Sequence, residues 1–246
     1  AYFSSDFRQH PVSILLAELF EIHDRDRFEL FAFSSGPETN DPMRHRIKAA
    51  FDHFIDINRL TDKEAAQLVR QWQIDIAVDL SGHTQDSRSG IFAYRAAPIQ
   101  LSYIGYLGTM GAEYYDYLLA DQVLIPESSR SLYSEKIVYL PSYQVSDSKR
   151  KIADRIFSRK ELGLPENGFI FCCFNNNYKI TPTTFDSWMR ILLAVPRSVL
   201  VLYVEHESSR GNLRREAENR GVVADRLIFA GRLSYEEHLA RYRTMD

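Results

Sequence analysis

Cysteine is nearly missing from this chain. There are two in 246 residues, and they are neighbours, Cys172 and Cys173, in one apolar run. Adjacent strand residues face opposite sides of a sheet, which argues against a bridge between them. A disulfide-stapled secreted domain is therefore not expected, and a reduced, cytoplasmic protein is. No run approaches the roughly 18 apolar residues of a membrane span, and no signal-peptide pattern opens the chain. Neither sign of charge dominates: 30 Lys and Arg stand against 33 Asp and Glu, a formal net charge of −3. That leaves no broad basic footprint for nucleic acid. Internal repeats and low-complexity tracts are missing too.

Several catalytic signatures are also missing. There is no Walker sequence, which argues against a nucleotide kinase or ATPase. No G-x-G-x-x-G follows the first apolar run; "SSDFRQ" holds no glycine, which argues against a dehydrogenase. No histidine pair has metal-ligand spacing, and there is no G-x-S-x-G elbow. "DRD" at 24–26 resembles the D-x-D of metal-dependent sugar transferases, but it precedes a strand and reads as an exposed loop.

What is present is a rhythm. Short β-rich runs at 1–4, 28–33, 54–57, 74–80, 99–104, 115–120 and 136–140 alternate with helical spacings such as Ala65, Leu68, Val69 and Trp72. The pattern predicts a parallel sheet with helices on both faces. It fades in "SYQVSDSKRKIADR", which is polar and reads as a linker, then restarts with strands at 169–174, 199–204 and 226–229. A helix is predicted from Ser234, with Glu237 completing a capping box. The expected division is a first Rossmann-like domain at 1–145 and the first part of a second at 146–246. Three strands fall short of the five or six of a complete doubly wound sheet, so a fragment of a longer protein is expected.

In open α/β sheets ligands bind beyond the carboxyl ends of the strands. Four strand-to-helix turns there are polar or glycine-rich: "SSDFRQHP", "SGHTQDSRSG", "GYLGTMGAEYYD" and "NNNYKITP". They carry His10, His83 and Lys179. In the last turn Thr181 is a good N-cap and Pro182 suits the first helical position, so free N–H groups, a helix dipole and the Lys179 ammonium converge as a phosphate site requires. A solvated lysine beside a capped helix is the plainer alternative, as is a His10 that only caps the helix from Pro11.

The segments "SSDFRQHP", "DLSGHT", "RAAPIQLSYIGYLGTMG", "YSEKIVYLP" and "FCCFNNNYKITP" resemble, in order, the catalytic region of the O-GlcNAc transferase and SPINDLY group, glycosyltransferase family 41. The resemblance implies an α/β GT-B fold of two Rossmann-like domains, the second incomplete in this chain. It implies an inverting, metal-independent enzyme with no cofactor, moving GlcNAc from UDP-GlcNAc to protein Ser or Thr hydroxyls. A GDP-fucose donor, an asparagine acceptor and a degenerate binding module remain open alternatives. Lys179 and Asn176 are placed at the donor diphosphate, His10 at the reacting sugar with His83 in the matching SGHT turn, and Leu233, His238 and Arg241 around the base. Leu107 departs from the family's "GYPGT". Expected partners are the nucleotide sugar and an acceptor protein, with tetratricopeptide repeats upstream and neither nucleic acid nor membrane. The family's second diphosphate-binding helix is expected beyond Asp246, so the fragment alone is expected to be inactive.

Overall fold

The computed structural model describes residues 1–246 as two compact units, Ala1–Lys149 and Arg150–Asp246. In the first unit the elements are β1 (Tyr2–Ser4), α1 (Pro11–Glu21), β2 (Phe31–Ser34), α2 (Pro42–Ala49), β3 (His53–Asp56), α3 (Asp62–Gln71), β4 (Ile76–Asp79), α4 (Gly90–Ala93), β5 (Ile99–Ser102), β6 (Tyr117–Ala120) and β7 (Lys136–Tyr139). The second unit holds β8 (Ile170–Cys173), α5 (Pro182–Ala194), β9 (Val199–Tyr203), α6 (Glu207–Glu218), β10 (Leu227–Ala230) and α7 (Tyr235–Arg241). No helix is long and apolar enough to cross a membrane.

All strand pairings are parallel. The first sheet runs β3-β2-β1-β4-β5-β6-β7 and the second β10-β9-β8. Side-chain alternation divides each strand between two cores. Phe3, Phe33 and Ala77 face α3 and α4, packing with Ala65, Val69 and Phe92. Ala32 and Val78 face α1 and α2, packing with Leu16, Phe20 and Ile47. The Phe3 and Phe33 rings stack at 4.8 Å across β1 and β2. In the second unit Cys173 joins the core under α5 and α6, whereas Cys172 belongs to the opposite face; both thiols are free.

The helix starts follow local chemistry. α3 carries a full capping box between Thr61 and Glu64. Thr181 caps α5 by accepting the Thr184 N–H, and Pro182 follows it. At α7 the box is half formed: Ser234 accepts the Glu237 N–H, while the Glu237 carboxylate reaches Arg155 instead of the cap backbone.

The expected elements are all present, but several bounds move. The run from Phe28 is a strand only from Phe31, because the Leu30 N–H is taken by the Asp52 carboxylate instead of a ladder partner. Trp72 is the C-cap of α3, 43% exposed and tilted against Phe31 and His53, so it is not part of a buried stripe. The compact units divide four residues beyond the expected 145. Asp147, Ser148 and Lys149 are tied to Arg46, Glu18 and Glu21 of the first unit.

Candidate active site

The strand order of the first sheet reverses between β1 and β4, and a sheet of this kind opens its ligand crevice beyond the carboxyl ends of those two strands. The turn after β1 carries His10 and the turn after β4 carries His83, so the two predicted histidines flank the reversal.

His10 is the N-cap of α1: its Nδ1 accepts the Val12 N–H at 3.3 Å. The same nitrogen lies 3.5 Å from Asp6 Oδ2. One nitrogen cannot serve both. Accepting from Val12 requires a bare Nδ1, whereas donating to Asp6 requires a proton there and leaves Nε2 as the basic nitrogen of the neutral ring. The capping alternative is thus realised, and Asp6 supplies a route out of it. The turn is dense. Ser13 Oγ donates to the Asp6 carbonyl at 2.6 Å. A Cβ on Gly36 would lie 1.9 Å from the Ser5 carbonyl, so only glycine lets the β2 turn lie against it.

His83 is held differently. Its Nε2 lies 3.0 Å from the Met110 carbonyl, an acceptor only, so Nε2 carries the proton and donates. The Tyr106 ring stands edge-on at 5.2 Å. Underneath, Asp79 is 3% exposed and organises the turn: Oδ1 accepts from the Ser81 and Gly82 N–H groups, and Oδ2 accepts the Tyr115 phenol proton. Burial pushes the Asp79 carboxyl above its ordinary range, against the pull of these donors. A Cβ on Gly105 would lie 2.0 Å from the Leu80 carbonyl, which allows the loop after β5 to pack against this turn.

In the second unit the last asparagine of the run opens a single 3-10 turn, Asn177–Lys179, between β8 and α5, with Asn176 preceding it. Asn176 is exposed, with its N–H bonded to the side chain of Asn175. Lys179 is exposed, 5.9 Å from the Tyr178 ring centroid, and takes part in no ion pair. Its charge is therefore uncommitted, three residues before a capped helix.

A second group gathers at the ends of β8 and β10. Arg241 is 3% exposed. One Nη donates to the Gly231 carbonyl and the other to His238 Nδ1, with the guanidinium 4.0 Å above the Phe174 ring. His238 meets Phe174 and Tyr242 edge-on. Burial, then the Arg241 charge, lowers the His238 pKa, so the ring is neutral with its proton on Nε2. Burial also lowers the Arg241 pKa. Leu233 and Arg241 line a cavity of about 210 Å³ together with Phe229 and Gly231. Phe174, which His238 and Arg241 contact, immediately precedes the asparagines, so these two residues lie at the same carboxyl end of β8 from which the turn with Asn176 and Lys179 starts, while Leu233 follows β10. Larger concavities of about 400 and 520 Å³ open at the amino-terminal strand edge of the first unit, beside Ala1, Trp72 and Asp75 and beside Arg95 and Pro98. They lie away from these turns.

Sequence reasoning missed Asp79, Tyr115 and Glu135 as parts of the site. Asp79 left a signal, an acid inside the apolar "IAVDL"; the other two left none, since their partners lie 36 and 25 residues away.

Parallel sheets with helices on both faces and polar turns clustered at their carboxyl edges define a Rossmann-like α/β class of protein. The chain belongs to Glycosyl transferase family 41, whose sequence profile matches residues 1–156 and 144–246. It is 38% identical to the Arabidopsis thaliana protein named probable UDP-N-acetylglucosamine--peptide N-acetylglucosaminyltransferase SEC, over 98% of this chain and 25% of that protein. It is 30% identical to Arabidopsis thaliana SPINDLY, a protein of the same descriptive name, over 100% of this chain and 27% of that one. A mutant of the Thermobaculum terrenum O-GlcNAc transferase superposes with a TM-score of 0.89 at 33% identity, covering 99% of this chain and 46% of that one. The fold is accordingly GT-B-like. The chain spans about a quarter of the length of these curated relatives.

Proposed function

We propose that the chain is part of the catalytic region of an enzyme that moves N-acetylglucosamine from UDP-N-acetylglucosamine to hydroxyl groups of proteins. The observation that carries this reading is the pair of histidine turns flanking the strand reversal in a family 41 chain. The names of the relatives, which specify that donor and peptide acceptors, support it.

In the proposed reaction an acceptor oxygen attacks the anomeric carbon, its proton passes to a base, and the bond from that carbon to the diphosphate oxygen breaks with inversion. UDP departs with the bonding electrons. Negative charge grows on the leaving diphosphate, and a fixed cation is most effective where charge develops. Lys179, unpaired and beside the α5 N-terminus, suits that role without a metal. Asn176 is assigned to the same diphosphate, and Leu233, His238 and Arg241 to the nucleoside. His10 is assigned to the reacting sugar. Asp6 would draw its Nδ1 proton and so expose Nε2 as a base.

The test uses the full-length protein. UDP and GDP affinities by calorimetry, and peptide glycosylation by mass spectrometry with and without EDTA, should show UDP preferred and transfer insensitive to the chelator. NMR of the product linkage reads inversion. Tighter GDP binding would reassign the donor, and a protein that binds neither nucleotide would be a non-catalytic module.

A further inference from the structure

Glu135 is a buried carboxylate with no cation beside it. It is 5% exposed, at the entry to β7. One oxygen accepts the Met110 N–H at 2.6 Å, and the other accepts the Thr109 hydroxyl at 2.7 Å. Thr109 Oγ1 in turn accepts the Gly111 N–H at 3.0 Å and the Ser134 N–H at 3.3 Å. The segment from Gly105 to Gly111 forms no helix or strand, so this carboxylate fixes its far end. Charge-assisted hydrogen bonds of this kind are the stronger ones, and a buried acid is tolerated where its lone pairs are so occupied.

Met110 is the point of transfer. Its N–H is held by Glu135, while its carbonyl accepts the Nε2 proton of His83 at 3.0 Å. The N–H and the carbonyl belong to successive peptide groups, and Glu135 holds both, the first directly and the second through Thr109 Oγ1, which accepts the Gly111 N–H; fixing the carbonyl decides which His83 nitrogen carries the proton. With Nε2–H committed, the remaining lone pair is on Nδ1, which makes no hydrogen bond within the protein. The His83 residue itself is exposed.

We propose that Glu135 is a positioning residue for the transfer reaction: through Met110 it locks His83 as the Nε2–H tautomer, so that Nδ1 accepts a hydrogen bond from a substrate hydroxyl. The role in transfer rests on the proposed function; the tautomer lock does not. A purely structural Glu135 would stabilise the loop and leave the His83 ring unmoved when replaced.

The experiment is long-range ¹H–¹⁵N correlation of the histidine rings in the 246-residue chain at neutral pH, with His83 assigned through its loss in His83→Gln. His83 should show a bare Nδ1 and a protonated Nε2; the opposite tautomer overturns the proposal without any variant. Glu135→Gln leaves one acceptor for two donors and should move the two ring nitrogens toward averaged positions. Unchanged His83 signals in that folded variant overturn the proposal. If it does not fold, Thr109→Val, which keeps the Met110 bond but frees one carboxylate oxygen, should broaden the His83 ring signals, and an unaltered ring again refutes it. In the full-length protein Glu135→Gln should lower kcat by about ten- to a hundredfold with donor KM nearly constant. A lock seen by NMR alongside a wild-type protein that transfers no sugar would reject the proposed function alone; a lock with unchanged kcat in the variant would reject the role in transfer.

Discussion

Asp79 and Tyr115 share a hydrogen bond of 2.5 Å in the interior of the first unit, 36 residues apart in sequence. The phenol is one of three donors on a carboxylate that burial pushes above its ordinary pKa. Tyr115→Phe removes that donor and drives the acid higher still. A buried acceptor stripped of a partner costs about 1–3 kcal/mol. An acid with a raised folded pKa contributes its full share of stability below the ordinary carboxylate range. That share is lost as pH rises through the folded value. Urea unfolding should therefore show a larger deficit for Tyr115→Phe at pH 8 than at pH 5; equal deficits would refute this account.

The Arg46 network should respond in the opposite direction. Arg46 binds Glu21 through two bonds of 2.7 and 3.0 Å and Asp147 through bonds of 2.6 and 3.1 Å. Its guanidinium, followed by Lys149, holds the Glu21 carboxyl below its usual range. A depressed acid contributes stability above its unfolded pKa and loses it as pH falls through the folded one. Arg46→Gln should cost about 1–2 kcal/mol at pH 7, between the surface and buried limits for ion pairs. The deficit should shrink below about pH 4. Trypsin should also cut faster after Lys149, Arg150 and Lys151, since Asp147 no longer pins the segment.

Lys179 makes no ion pair, so its removal should leave the fold intact. In the full-length protein Lys179→Ala should reduce transfer by about a hundred- to a thousandfold, the usual effect of losing one donor to developing charge. Lys179→Arg should recover little, because a planar fork does not reproduce a compact ammonium. A folded Lys179→Ala protein working at near wild-type rate would remove the lysine from the mechanism.

His10 allows its two roles to be separated. Asparagine is a good N-cap, so His10→Asn preserves the start of α1 while removing the imidazole. If the ring serves the chemistry, turnover should fall about a hundredfold or more with thermal stability and donor affinity nearly unchanged. If capping is the whole role, His10→Asn should transfer normally, and His10→Ala should show only a stability loss of about 1 kcal/mol.

The order of elements was legible because periods of 2 and 3.6 residues alternate cleanly, and His10, His83 and Lys179 stood out because polar turns interrupt apolar strands. The register of the strands was not legible. Whether Phe28 joins a ladder depends on Asp52, and whether Trp72 is covered depends on Phe31 and His53. The supports beneath the histidines were hidden for the same reason. Glu135 in "YSEK" reads as one more surface acid until the fold brings Met110 to it. Local pattern reports which face a residue prefers, whereas buried polar partners are fixed by chain crossings that leave no local trace.

The strand order also sets a timetable. β1 is an interior strand, third of seven, and its second neighbour is β4, with Tyr2 opposite Val78 and Phe3 opposite Asp79. Once made, β1 must wait for more than seventy further residues, several seconds at about 5–20 residues per second, before its edge toward β4 is covered. During that interval only β2, itself flanked by β3, can pair with it, and the polar turn after β4 that carries His83 is unformed. In the second sheet β9 and β10 each lie beside the strand made just before, so these pairings carry no such delay. Nascent chains halted before β4 should therefore be the ones that recruit chaperones and aggregate, and the carboxyl edge where β1 meets β4 should be among the last parts of the first unit to mature.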